Sequence, residues 1–129
     1  MSRICCLAGV EPDHVSLLLD VLKTAGELAP RTVEKLDVAD LSKLKPDVLI
    51  AELDRIEVDP LELLRQLRFV LPECLLVVYT RSQTPSWSRD CHIAGANCVL
   101  SKDSNRAQLA SGLRSAIRSG CWTDPKFAA

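Results

Sequence analysis

The sequence predicts one α/β domain built on a parallel sheet of five strands. Three observations indicate this class. A length of 129 residues suits a single domain, a hydrophobic content of 47% is enough for one core, and short apolar runs alternate with helical patterns. No linker, low-complexity tract or internal repeat interrupts the chain, so we expect the domain to extend over residues 1–129.

The first half of the chain contains three of the predicted strands. Residues 4–8 form the first strand, and the helix over residues 15–24 ends at Gly26. Residues 32–36 alternate weakly and suit an edge strand, and a short helix follows at Val38–Leu44. Residues 48–51 form the continuous apolar run that is typical of a strand buried on both faces, so we place this strand at the centre of the sheet.

Turn and cap signals delimit the second half. Asp59 caps a helix that has Pro60 at its first position, and residues 75–79 form the fourth strand. A weakly periodic helix is expected within Pro85–Ala94. The fifth strand is predicted at residues 98–100, and the last helix at residues 105–118 with Ser104 as its cap.

Composition excludes several classes of function. The 16 basic and 17 acidic side chains nearly cancel, so no global field favours nucleic acid or an anionic membrane. No apolar run is long enough to span a bilayer and residues 1–12 lack signal-peptide order, so we expect a cytoplasmic protein. Four of the six cysteines, Cys5, Cys6, Cys74 and Cys98, lie in apolar runs and are expected to be buried free thiols rather than metal or redox sites.

Four segments together carry a family resemblance: residues 46–53 (PDVLIAEL), 59–64 (DPLELL), 77–80 (VVYT) and 95–103 (GANCVLSKD). In order and spacing they resemble the receiver domain of two-component response regulators over almost the whole chain. The resemblance implies a doubly wound CheY-like, flavodoxin-like (βα)5 fold with strand order 2-1-3-4-5. In that family a histidine kinase donates a phosphoryl group to an aspartate that holds Mg²⁺ together with two acids at the end of the first strand.

The resemblance assigns a site but not its usual chemistry. Thr80 and Lys102 match the hydroxyl and ammonium that bind phosphoryl oxygens in the family, 28 and 50 residues after the acceptor position. That position holds Glu52, which is one methylene longer than aspartate, and a displacement of about 1 Å can cost 100-fold in rate. The nearest alternative acceptor is Asp54. The positions of the acidic pair fall on residues 8–10, Ala-Gly-Val, so we expect no Mg²⁺ site, no cofactor and no catalytic residue.

Two further departures concern access to the site. The family has a small residue after the hydroxyl and an aromatic switch residue three positions before the lysine, where this chain has Arg81 and Val99. We therefore interpret Glu52, Thr80, Lys102 and Arg81 as a degenerate phosphoacceptor pocket, in which Lys102 and Arg81 compensate the charge of Glu52. A further hypothesis is that a glutamate in this position imitates the phosphorylated state.

The predicted function is that of a binding module rather than an enzyme: a phosphorylation-independent receiver that contacts a protein partner, or a second copy of itself. The family often uses the face formed by helix 4, strand 5 and helix 5, where Trp87 and Val99 are the candidate contact residues. One alternative is the receiver part of a transcription regulator, since residues 119–125 resemble the junction before a helix-turn-helix output domain. Another is a receiver that is still phosphorylated on Glu52 or Asp54.

Overall fold

The computed structural model describes residues 3–26, 28–82 and 84–127, apart from the side chains of Arg3 and Leu28. Strands and helices alternate along the chain as the apolar pattern predicts. The elements are β1 (Arg3–Ala8), α1 (Pro12–Ala25), β2 (Leu28–Val33), α2 (Val38–Leu44), β3 (Val48–Glu52), α3 (Pro60–Val70), β4 (Leu75–Thr80), α4 (Pro85–Ala94), β5 (Cys98–Ser101), α5 (Arg106–Ser119), β6 (Trp122–Thr123) and a 3₁₀ turn (Pro125–Phe127).

The strands form one parallel sheet in the order β2-β1-β3-β4-β5-β6. The first five strands follow the predicted order, but the predicted count of five strands is wrong. The additional strand, β6, pairs Trp122 with Cys98 and Thr123 with Val99 at the edge of β5. A strand of two residues has no detectable periodicity, so the sequence pattern could not indicate it.

The predicted position of the second strand is also wrong, because β2 begins at Leu28 and ends at Val33 rather than extending over residues 32–36. Pro30 and Arg31 interrupt the apolar pattern and conceal the strand. Pro30 lies opposite Cys5, and β2 is an edge strand. Proline is tolerated there because one side of an edge strand needs no partner for its N–H groups.

Helices cover both faces of the sheet and produce two apolar layers. On one face, α1 and α5 contribute Leu18, Leu22, Leu109 and Leu113, which pack against strand residues such as Ile50. On the other face, α2, α3 and α4 form a second cluster together with the C-terminal turn, whose phenylalanine is also buried. All five residues of β3 are buried, which confirms its predicted central position.

Local capping signals explain where two helices begin. The Asp59 side chain accepts a hydrogen bond of 3.0 Å from the backbone N–H of Leu61, and Pro60 occupies the first helical position of α3, as predicted. The cap of α5 differs from the prediction. It is Asn105, which forms a reciprocal capping box with Gln108. Ser104 is buried instead and donates a hydrogen bond to Asp124.

The thiols behave as the apolar runs predict. Cys5, Cys6, Cys74 and Cys98 are buried and free, and burial raises the pKa of both Cys5 and Cys74 to about 12. Cys121 is exposed. Among the residues that the structure describes, no helix is both long and apolar enough to cross a bilayer.

Candidate functional site

The carboxyl ends of three neighbouring strands meet at one edge of the sheet and form the candidate site. Glu52 is the last residue of β3 and Thr80 the last of β4, while Lys102 follows directly after β5. The parallel register places Thr80 opposite Ser101, beside the strand that ends in Glu52. The structure thus brings together the side chains of three of the four residues that the sequence predicts for the pocket.

Glu52 is a fully buried carboxylate with one satisfied oxygen and one unsatisfied oxygen. Its Oε1 accepts a hydrogen bond of 3.1 Å from the backbone N–H of Glu11 and lies 3.3 Å from Lys102 Nζ. Its Oε2 has no hydrogen-bond partner among the described residues, and Arg55 Nη1 lies 4.0 Å away. A buried carboxylate is costly unless it is paired, so Glu52 depends on the lysine beside it.

Lys102 lies between two carboxylates. Its side chain is only 3% exposed, and its Nζ is 2.8 Å from Asp54 Oδ2 as well as 3.3 Å from Glu52 Oε1. The ammonium also lies 5.8 Å from the centroid of the Tyr79 ring, within range of a cation–π interaction. One cation is therefore shared between two acids at the end of the sheet.

Asp54 is the centre of the polar contacts at this site, which differs from the prediction that placed Glu52 there. The Thr80 hydroxyl donates a hydrogen bond of 2.8 Å to Asp54 Oδ1, and the backbone N–H of Arg81 donates one of 2.9 Å to Oδ2. Partial burial opposes ionisation, but the hydrogen bonds from Lys102, Thr80 and Arg81 outweigh it and lower the pKa of Asp54.

Arg81 contributes its backbone rather than its charge. Its side chain is exposed, and no ion pair joins its guanidinium to Glu52 within the described part of the chain. The prediction that Arg81 compensates Glu52 is therefore not supported, and Arg55 is the arginine that approaches this carboxylate. The reason is local: the Arg81 side chain lies in solvent just beyond the end of β4, whereas its backbone N–H points to Asp54.

The two candidate contact residues are less accessible than predicted. Val99 is 0% exposed and belongs to the core, so a partner cannot reach it in this structure, and its prediction as a surface residue is wrong. It lies in β5, which has β4 on one side and β6 on the other. Trp87 is partly buried and packs against the same core, and its buried Nε1 has no hydrogen-bond partner among the described residues.

One polar pair beside the site was missed by sequence reasoning. His14 Nδ1 lies 2.7 Å from the hydroxyl of the fully buried Tyr79, and the two rings form an edge-to-face pair. Burial, followed by the charge of Glu52, raises the pKa of Tyr79 to about 12. The only signal in the sequence was the position of Tyr79 immediately before Thr80. Nothing local linked it to His14.

The donor set does not suit Mg²⁺, the ion that the family resemblance implies. Mg²⁺ demands octahedral oxygen ligands, usually including one or two carboxylates. Gly9 and Val10, which follow β1, carry no carboxylate, and the lysine ammonium already occupies the space between the two acids. Within the described residues, no group of three His, Cys, Asp or Glu side chains is arranged to hold a metal.

Comparison with known proteins identifies the class of this fold. No protein-family model matches the sequence. The chain is similar to the methanol utilization control regulatory protein MoxX of Paracoccus denitrificans, with 27% identity over 108 residues, which cover 82% of this chain and 48% of that protein. The chain thus spans about half the length of that relative.

Solved structures show the fold of this chain. A two-component response regulator of the LuxR family from Aurantimonas sp. SI85-9A1 superposes with a TM-score of 0.79 at 20% identity, over 99% of this chain and 94% of that one. The isolated REC domain of RcsB from Salmonella enterica serovar Typhimurium, solved with the phosphomimetic BeF3⁻, superposes with a TM-score of 0.78 at 17% identity, over 99% and 97%. The chain has the CheY-like fold of a response-regulator receiver domain.

Proposed function

We propose that this protein is an atypical receiver that acts in signal transduction by binding a protein partner, without accepting a phosphoryl group. The observation that carries the proposal is the identity, burial and pairing of the residue at the acceptor position. It holds Glu52, which is fully buried and paired with Lys102, next to a first strand that ends without acids. A carboxylate in this state is a poor acceptor, because phosphoryl transfer requires an accessible nucleophile and a metal ion that neutralises the transferring group.

The partner surface in this proposal corresponds to the face built from α4, β5 and α5. In this chain β6 changes that face. Because β6 pairs with β5, the edge available to a partner consists of α4, β6 and α5. Ile93 in α4 is 75% exposed, and exposed apolar side chains of this size often contribute to interfaces. A protein partner or a second copy of the chain fits this surface, whereas the near-zero net charge does not favour nucleic acid.

A titration with Mg²⁺ and beryllofluoride, followed by backbone NMR, tests the loss of phosphorylation. We expect the amides of Glu52, Thr80 and Lys102 to remain unchanged. A saturable shift centred on these three residues would overturn the proposal and favour a receiver that is phosphorylated on Glu52 or Asp54.

Sedimentation analysis tests the version in which the partner is a second copy. We expect Ile93→Ser to weaken self-association and Phe69→Ser to leave it unchanged. Phe69 is a suitable control because it is 86% exposed but lies on α3, outside the proposed face. A wild-type protein that stays monomeric at all concentrations would exclude self-association and leave a different protein as the partner.

A second candidate function is the receiver part of a transcription regulator with a helix-turn-helix output domain. Two observations favour it: the chain covers 48% of a relative that is named as a regulatory protein, and residues 119–125 resemble a junction to such a domain. In the structure this segment contains β6, which is bound to the edge of β5. Sequencing of the complete reading frame distinguishes this candidate, since it requires coding sequence for an output domain.

A further inference from the structure

Asp54 has an environment that is unusual for a carboxylate in a surface turn. The residue itself is exposed, but its side chain turns inward and is only 25% exposed. Three donors of different kinds surround it: the hydroxyl of Thr80 at 2.8 Å, the backbone N–H of Arg81 at 2.9 Å and the ammonium of Lys102 at 2.8 Å. Aspartate side chains in turns usually hydrogen-bond their own backbone two residues further on, so coordination by three groups from two other strand ends requires an explanation.

The three donors together form a pocket for an oxyanion. A hydroxyl, a backbone N–H and a nearly buried ammonium that converge on one point bind the oxygens of an anion through charge-assisted hydrogen bonds. In this chain the anion is a side chain from the turn after β3, at the distances expected of a bound ligand. We propose that Asp54 is an intramolecular ligand that permanently fills this oxyanion pocket. This inference rests on the proposed absence of phosphorylation and adds what replaces the phosphoryl group.

A chain of hydrogen bonds connects the filled pocket to the start of α4. The Thr80 hydroxyl, which donates to Asp54, also accepts a hydrogen bond of 3.2 Å from the backbone N–H of Ser82. The Ser82 hydroxyl lies 3.5 Å from that of Thr84, the N-cap of α4, which in turn accepts from the backbone N–H of Trp87. In this proposal Asp54 orients the Thr80 hydroxyl and, through Ser82 and Thr84, couples the filled pocket to the start of α4 without an external signal. Helix α4 belongs to the proposed partner surface.

The first experiment removes the internal ligand. We expect Asp54→Ala to shift the amide resonances of Arg81, Ser82 and Trp87, and to raise the hydrogen-exchange rate of the Ser82 amide roughly tenfold, because the hydrogen bonds that fix Thr80 are lost. Asp54→Asn keeps an acceptor for Thr80 and should give a smaller change. Asp90→Ala is the matched control. It removes the same charge from an exposed position on α4, and it should leave the amides of Arg81 and Ser82 unchanged even if nearby α4 amides shift.

The second experiment supplies an external anion. At constant ionic strength, inorganic phosphate should bind Asp54→Ala, shift Arg81 and Lys102, and restore slow exchange at Ser82, while leaving the wild-type protein and Asp90→Ala unchanged. Phosphate binding to the wild-type protein as strongly as to Asp54→Ala would overturn the inference, since the pocket would then not be filled. An Asp54→Ala protein that does not bind phosphate would also overturn the inference, because Asp54 would then only stabilise the turn after β3.

The two proposals fail in different ways. A response of the wild-type protein to Mg²⁺ and beryllofluoride would overturn the proposed function. A failure of phosphate to substitute for the Asp54 carboxylate would overturn only the internal-ligand inference, and the chain would remain a receiver that is not phosphorylated.

Discussion

Replacement of Lys102 with methionine is the most direct test of the charge arrangement at the site. The substitution keeps most of the apolar stem but removes the ammonium that lies 3.3 Å from Glu52 and 2.8 Å from Asp54. Glu52 is fully buried, so its carboxylate cannot be solvated instead. Removal of one partner from a buried ion pair costs about 3–5 kcal/mol, and we expect Lys102→Met to lower the free energy of unfolding by this amount.

Urea unfolding at neutral pH, followed by far-ultraviolet circular dichroism, measures the loss. Lys23→Met is the control, because Lys23 is exposed in α1 and its replacement should change stability by no more than about 0.5 kcal/mol. The double variant Glu52→Gln/Lys102→Met leaves no buried charge at this pair. It should therefore recover roughly 0.5–3 kcal/mol of the loss, which is the usual size of the coupling between residues in contact.

The relative losses of unfolding free energy among these variants test the proposed charge pairing. Glu52→Gln alone should cost less than Lys102→Met, because Lys102 retains its contact with Asp54 at 2.8 Å. If Lys102→Met lost less than about 1 kcal/mol, or if the double variant were no more stable than Lys102→Met, the lysine would not be the charge that makes a buried Glu52 tolerable.

Three further predictions concern packing, pH and thiol access. Gly112→Ala should lower the free energy of unfolding by about 1–3 kcal/mol, because a Cβ at this position would overlap the ring of Trp122. The displaced ring should also shift tryptophan fluorescence to the red. Unchanged fluorescence would contradict this packing. Folding lowers the pKa of Asp54, so its contribution to stability is present above its ordinary pKa of about 3.9 and is lost as pH falls through the lower folded value. The difference in unfolding free energy between wild type and Asp54→Asn should therefore shrink below about pH 4. A difference that does not change with pH would contradict this assignment. In the native protein at pH 8, a thiol reagent should modify Cys121 rapidly and the five buried cysteines only on unfolding, and a second fast thiol would contradict their burial.

Elements with strong local signals were predictable in detail. The apolar run at residues 48–51 indicated the central strand, and Asp59 with Pro60 indicated the start of α3, because burial on both faces and helix capping each leave a mark within a few residues. The bounds Val38–Leu44 and Pro85–Ala94 agree with the structure for similar reasons, since a proline or a capping side chain delimits them.

Elements that depend on distant partners were not predictable. β6 is two residues long and is held by its pairing with β5, by the packing of Trp122 on Gly112 and by the buried hydrogen bond between Ser104 and Asp124. None of these contacts leaves a periodic pattern in the sequence. For the same reason the predicted strand order stopped at β5 and Val99 was predicted as a contact residue, whereas β6 pairs with β5 and Val99 is buried in the core.

The sequence by itself determined which strand ends meet and therefore that Glu52, Thr80 and Lys102 share one site, because parallel strands of a known order place their carboxyl ends together. Only the tertiary structure decided how these groups pair. Thr80 and Lys102 both contact Asp54, two residues beyond the predicted acceptor, and Arg81 offers its N–H rather than its charge. Spacing along a chain fixes the order of side chains, whereas pairing depends on differences of about 1 Å in the path of a turn, and these arise only when the sheet and its helices are packed.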